Sequence, residues 1–424
     1  MKQLFSLSIV LIFTFNQTIC FAQTTAGNYS EEKVPPYTLP DPLQQANGKM
    51  VTTTQQWNTL QRPYIYHLFE ENVYGAFPKK TIPLKYIVRE VNEHALNDLA
   101  VRKQIRMYFH PTDSTAFLDI LLYLPKGGKK QAPVFAGYNF SGNHSIENDP
   151  SIFLSTSWLP DRGNAVINHQ ATGSSRGSGA SQWQVKEIIK RGYGIATAYY
   201  GDIEPDHPDG WKTGIRTSVK DMLKINPQDW SAIGAWAWGL SRMMDYLQQD
   251  KDVDGKKVAV MGHSRLGKAA LWAAASDQRF AMVISNESGE GGAALSKRWY
   301  GETVGFINER FPHWFAANYK KYNDNTGALP LDQHMLLSLI APRPLYVASA
   351  EGDQWSDPKG EFLGAKNADP VYALFNKKGL GAVTMPGLNQ PVGNIIRYHI
   401  RAGKHDVTQY DWEQYLNFAD ENWK

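Results

Sequence analysis

The stretch VAVMGHSRLGKAALWAAA, residues 258–275, places Ser264 between His263 and Arg265, with glycines at 262 and 267 and Lys268 one helical turn on. A serine hydroxyl attacks an acyl carbon well only when a base takes its proton and an acid orients that base. Glu287 and Asp353 follow Ser264 in the chain, and His405 follows them. Serine, acid, histidine is one of the orders in which such a set is laid out. A run of apolar residues, a turn with small residues and an alanine-rich segment read as strand, sharp turn and helix. The plainer alternative is a serine capping a helix after a buried strand.

Arg265 and Lys268 are out of place at a helix start. The positive end of the helix dipole disfavours a cation there by a few tenths to about 1 kcal/mol. Lys268 shares a helix face with Ser264, so it can point back towards whatever Ser264 attacks. The backbone N–H of Arg265 takes the usual oxyanion-hole position after a nucleophile. Its guanidinium adds a further donor for negative charge on the reacting oxygen. For Lys268 the competing reading is exposed charge at a helix end.

These residues need strand ends to hold them. His405 follows the strand-like RYHIRAG in a glycine-containing loop ahead of the last helix. Glu287 ends FAMVISNE, and Asp353 ends RPLYVASAEGD. Either serves as the acid, and Glu351 is less well placed. His399 falls inside its strand and is assigned to the core or an edge. His313 and His334 fall in or near an insertion. The side chain of His263 is expected to diverge from that of its neighbour Ser264.

The wider pattern supports this placement. A helical segment is predicted over 52–78, then strands through PLKYIVREVNEHALNDLAVRKQIRMYFH and TAFLDILLYLP. From APVFAGYNF onwards, strands alternate with helices, which implies a parallel sheet covered on both faces. A serine on a strand–turn–helix in that setting is the nucleophile elbow of an α/β-hydrolase. The expected fold is therefore α/β: a mostly parallel central sheet, helices on both faces and loop insertions over the active-site end. Residues 141–182 and 290–335, rich in Gly, Asn, Ser and Trp, are assigned to those insertions.

The chain has 424 residues, enough for one large domain or two ordinary ones. It is 42% hydrophobic and 20% charged, which suits a packed domain and excludes a disordered chain. The formal charge of +3 gives no reason to expect nucleic acid. The 13 Trp and 21 Tyr fit a large core, and some fit a carbohydrate site whose rings pack on sugar faces. Residues 1–22 read as a secretory signal peptide: Lys2, an apolar Leu4–Phe15, and a small-x-small pattern ending at Ala22. Loss of that segment removes Lys2, its one charged residue, leaving +2, and removes Cys20, the chain's one cysteine. A mature chain without disulfides then depends on its core. Residues 23–50 are expected to form an extended arm and 51–424 one catalytic domain, secreted or periplasmic.

GHSRLGKAALWAAA followed by SNESGEGGAALSKRWYGETVGFINERFPHWF resembles the bacterial glucuronoyl esterases, carbohydrate esterase family 15. The likeness continues through APRPLYVASAEGDQWSDPKGEF and GKHDVTQYDW, and upstream through YNFSGNHS and RGYGIATAYYGDIEPD, covering roughly residues 50–424. The narrower motif G-x-S-R-x-G-K is intact. Fungal members carry cysteines near the elbow, whereas this chain has His263 there, which places it with the bacterial group. The resemblance implies an α/β-hydrolase that cleaves esters between 4-O-methyl-glucuronate on glucuronoxylan and lignin alcohols, without metal or cofactor. It implies Ser264 as nucleophile, His405 as base, Glu287 as the usual acid and Asp353 as a second acidic position. Arg265 would serve the oxyanion. Lys268, Glu302 and Trp355 would hold the glucuronate, and the 141–182 insertion would shape the cleft rim. The expected partner is that polysaccharide ester, with neither nucleic acid nor membrane, and a monomer is expected. An acetyl-xylan or other carbohydrate esterase of the same fold, and a secreted carbohydrate-binding protein with a degenerate hydrolase fold, are the competing readings.

Overall fold

Side chains of a strand point alternately to the two sides of its sheet. In 118–124, Leu118, Ile120, Leu122 and Leu124 join one hydrophobic core, while Leu121 and Tyr123 join a second. Residues 258–261 divide likewise: Val258 and Val260 go to the first core, Ala259 and Met261 to the second. Strands buried on both faces lose the apolar–polar alternation of a half-exposed sheet and read as continuous apolar runs.

The computed structural model describes residues 27–127 and 131–424. The expected signal peptide lies outside the described residues. The strands are β1 (Lys85–His94), β2 (Ala100–Tyr108), β3 (Phe117–Pro125), β4 (Ala132–Asn139), β5 (Val166–Ile167), β6 (Gln170–Ala171), β7 (Gly194–Tyr199), β8 (Val253–His263), β9 (Met282–Asn286), β10 (Leu345–Ala350), β11 (Val392–Gly393) and β12 (Ile396–Arg401). Ten of them form one sheet in the order β1-β2-β3-β7-β4-β8-β9-β10-β12-β11, and β5 and β6 pair separately. The stretch β7-β4-β8-β9-β10-β12 is parallel throughout. β1, β2 and β3 extend it as an antiparallel edge.

Five helices matter for the site. They are α1 (Val185–Lys190), α2 (Ala232–Leu247), α3 (Arg265–Ser276), α4 (Pro358–Asn367) and α5 (Gln409–Trp423). α2 and α3 pack on the first core and α1 and α5 on the second, so helices cover both faces. The predicted segment 52–78 is helical from Thr54 to Tyr74. Residues 290–335 contain a helix at Val304–Arg310 and the start of another, Gln333–Ser338, and 141–182 contain the β5–β6 hairpin. No helix among the described residues is long and apolar enough to cross a membrane.

The arm is anchored on the domain. The N–H of Gly301 donates to the carbonyl of Asn28 at 2.6 Å, and Glu31 pairs with Arg298 and, at 2.7 Å, with Lys359.

Candidate active site

The C-terminal ends of the parallel strands supply the site. β8 runs into Ser264, whose φ of 57° and ψ of −131° lie outside the common backbone wells. Such a residue costs of the order of 1–3 kcal/mol and is kept where its surroundings enforce it. Gly262 is part of that enforcement: a Cβ there would stand 2.0 Å from the carbonyl oxygen of Leu266. The Ser264 side chain makes no capping bond to α3, so the helix-cap reading does not hold. Ser264 faces a cleft of about 310 Å³ that His405, Glu287, Arg265, Lys268, Glu302 and Trp355 also line.

His405 Nδ1 meets two carboxylates, Asp353 Oδ2 at 2.6 Å and Glu287 Oε2 at 3.1 Å. With Nδ1 donating, Nε2 is left to act as base. Burial works against the charged imidazolium, but the hydrogen bonds and charges of Asp353 and Glu287 outweigh it and push the pKa up to about 9. Burial also raises Asp353, yet the hydrogen bond and charge of His405 hold it below its ordinary value. Burial pushes Glu287 up to about 7, against the pull of His405 and Arg401. Asp353 lies three residues beyond the end of β10 rather than at its end, where it opens the turn Gln354–Ser356.

Arg401 was not foreseen from the sequence. Its five N–H donors all find partners. Nε reaches Asp411 at 2.8 Å, and Nη2 reaches Glu287 Oε1 and the Asp406 carbonyl, each at 2.6 Å. Nη1 reaches the carbonyls of Ala402 and Lys404, each at 3.1 Å. The loop bearing His405 is thus folded round one guanidinium. An arginine at a strand end two residues from a glycine was the available signal. Glu361 does similar work behind Glu287, accepting from the N–H groups of Ser288 (2.7 Å) and Gly289 (3.1 Å) and from Ser349 Oγ (2.6 Å).

His263 has a contact that the sequence did not show: its ring packs against His405, centroids 4.3 Å apart. Its Nδ1 is paired with Asn286 Oδ1 at 2.6 Å. Burial, then the charge of His405, lowers its pKa to about 3, so it is a neutral support. His263, Glu287 and His405 bring ligand-type atoms within 4.8 Å of one another. Both Glu287 oxygens and both Nδ1 atoms are already paired as described, so the cluster is a hydrogen-bond network.

Both cations at the start of α3 are neutralised by buried carboxylates. Arg265 pairs with Asp206, and its guanidinium lies 4.9 Å from the Trp314 ring centroid. Asp206 also accepts from His313 Nε2 (2.8 Å) and Trp314 Nε1 (2.7 Å). Burial opposes its ionisation, but the His313 hydrogen bond and the Arg265 charge hold its pKa well below the ordinary range. The Nε of Arg265 is buried without a partner. Lys268, only 3% exposed, donates to the Ser288 carbonyl at 2.6 Å and pairs with Glu302 at 3.3 Å. Exposed helix-end charge is therefore excluded for Lys268. The N–H of Glu302 donates to the Trp355 carbonyl at 2.8 Å, which joins those two parts of the wall. Arg310, Phe311 and Trp314 complete the lining from within 290–335. None of the residues lining that cleft comes from 141–182, though Gln182 Nε2 reaches Asp406, next to His405, at 2.6 Å.

An acid-flanked histidine and a serine elbow at the C-terminal edge of a mostly parallel sheet define an α/β-hydrolase. A family model described as "Glucuronyl esterase, fungi" matches residues 222–376. The carbohydrate esterase MZ0003, from an unknown prokaryotic organism, is 47% identical over 94% of this chain and 93% of its own. A 4-O-methyl-glucuronoyl methylesterase of Phanerochaete chrysosporium is 37% identical over 35% of this chain and 33% of its own. The solved glucuronoyl esterase from Solibacter usitatus is 53% identical, covers 93% of this chain and 100% of that one, and superposes with a TM-score of 0.87. The chain belongs to the glucuronoyl esterases, carbohydrate esterase family 15.

Proposed function

We propose that this chain is a secreted serine esterase that cleaves the ester between 4-O-methyl-glucuronate on glucuronoxylan and a lignin alcohol. The observation that carries the reading is the double carboxylate at Nδ1 of His405, in one cleft with Ser264 and the buried Lys268–Glu302 pair. Ser264 Oγ attacks the ester carbonyl while His405 Nε2 takes its proton. Arg265 opens α3, so its N–H has no partner within the helix. That N–H and the guanidinium face the oxyanion. The alcohol leaves with the proton from His405, and water repeats the sequence on the glucuronoyl–serine to release the acid.

Asp353 is the principal acid in this scheme. It makes the shorter bond to Nδ1 and keeps its charge, whereas Glu287 divides its oxygens between Arg401, Asp406 and His405. Lys268, Glu302 and Trp355 hold the uronate ring by its hydroxyls and one face.

The test compares methyl glucuronate with methyl galacturonate and acetylated xylan. The expected result is preference for the glucuronate ester and a loss of about 10⁴-fold or more in kcat for Ser264→Ala. Turnover retained by Ser264→Ala would sink the mechanism, and preference for acetylated xylan would sink the substrate.

A further inference from the structure

We propose that Tyr29 forms a second sugar subsite, one that takes the pentose residue of the glycan to which the glucuronate is attached. Tyr29 is 54% exposed, an unusual degree for a large aromatic on a pinned segment. Its position is set from both sides. Asn28 bridges to Gly301, and its Nδ2 donates to the Trp299 carbonyl at 3.2 Å. Glu31 Oε1 pairs with Arg298, whose Nε is in turn 2.8 Å from Asp357.

The ring of Tyr29 meets that of Tyr300 edge to face, centroids 6.4 Å apart. Tyr300 Oη is 2.6 Å from Gln354 Oε1. The next residues along these two loops are Glu302, two on from Tyr300, and Trp355, which line the cleft. The charges of Glu302 and Asp353 reach the Tyr29 phenol and, after burial, help to raise its pKa. An exposed aromatic ring therefore continues the wall that carries Glu302 and Trp355.

A flat, uncharged, exposed ring suits a neutral sugar, whose C–H face stacks on it. The direction of the substrate chooses which sugar. The inference rests on the proposed reading, in which Glu302 and Trp355 grip the uronate. In 4-O-methyl-glucuronate the free hydroxyls sit on C2 and C3, beside the glycosidic C1, so a grip by Glu302 and Trp355 on those hydroxyls turns the glycosidic side towards the wall that leads to Tyr29.

Steady-state kinetics on the whole mature chain test this with three methyl or benzyl esters: methyl glucuronate, benzyl glucuronate and the methyl ester of a glucuronate borne on a xylo-oligosaccharide. For Tyr29→Ala the expected result is about a fivefold rise in KM on the oligosaccharide ester, with kcat unchanged and both monosaccharide esters within about twofold. Tyr29→Phe, which keeps the ring face, restores the lower KM. An equal loss on all three esters would overturn the proposal in favour of a structural role. A loss confined to the benzyl ester would overturn it by placing Tyr29 on the alcohol side. Failure of the unaltered enzyme to turn over methyl glucuronate is a separate result, which refutes the proposed function itself.

Discussion

Two histidine–aspartate pairs leave the same strand of this molecule, and they differ in almost everything except their bond. His399 Nε2 is 2.9 Å from Asp411 and His405 Nδ1 is 2.6 Å from Asp353. Both side chains of the His399 pair are 0% exposed, whereas His405 is 37% exposed. Burial holds the His399 pKa below its ordinary value even against Asp411. The anions around His405 win over burial because there are two of them and water reaches the ring. Asp411 is shared with Arg401 and with the N–H and hydroxyl of Thr408, the N-cap of α5, so it also closes the capping box that starts that helix. A histidine bonded to an aspartate is therefore no mark of catalysis. Excess negative charge, an open Nε2 and a nucleophile across the cleft separate the working pair from the structural one.

The largest effect that would break this comparison is at the open pair. Asp353→Asn leaves Glu287 to orient His405 alone, and a loss of about 10³-fold in kcat is expected, with Tm little changed. A mild loss there with a severe one in Glu287→Gln would reverse the assignment of the principal acid. At the sealed pair the expected effect falls on stability. Asp411→Asn leaves buried Arg401 short of an anion and weakens the capping box of α5, at a cost of about 3 kcal/mol in a denaturant titration. Its kcat, corrected for folded protein, should fall less than tenfold. A collapse of kcat with unchanged stability would show that the sealed pair takes part in the chemistry.

The smallest effect is in the pH profile. A protonated Nε2 cannot accept the serine proton, so kcat/KM rises with pH until the raised pKa of His405, about 9, is passed. Glu287→Gln removes one of the two anions that favour the imidazolium. The rising limb should then move to lower pH by about one unit. A limb that stays in place would show that Asp353 alone raises the pKa.

What was legible in the sequence follows the same division. The α/β alternation, the elbow and the order of Ser264, Glu287, Asp353 and His405 could be read because strand periodicity and chain order are local or one-dimensional. Arg401, Glu361, Asp206 and the packing of His263 could not. Each acts through partners distant in sequence, such as the 114 positions between Arg401 and Glu287. Asp353 illustrates the limit at close range. The sequence puts it at the end of a strand, but a short turn carries the carboxylate three residues past that end. Lys268 shows how type and position can leave two readings open: a lysine at a helix start reads as site-facing or as surface until a buried Glu302 is known to face it.

The pinning of the arm has a consequence for assembly. Glu31 and Arg298, which fasten the first described residues beside the Glu302 wall, are 267 positions apart, and His405 comes later still. A contact of that span closes a very long loop and is formed late. Because synthesis delivers the N-terminal end first, residues 28–31 must wait for residues 298–301 and Lys359 before they can be pinned. A partly made chain thus holds Ser264 without a finished cleft, which is complete only when the last strand and the loop of His405 arrive.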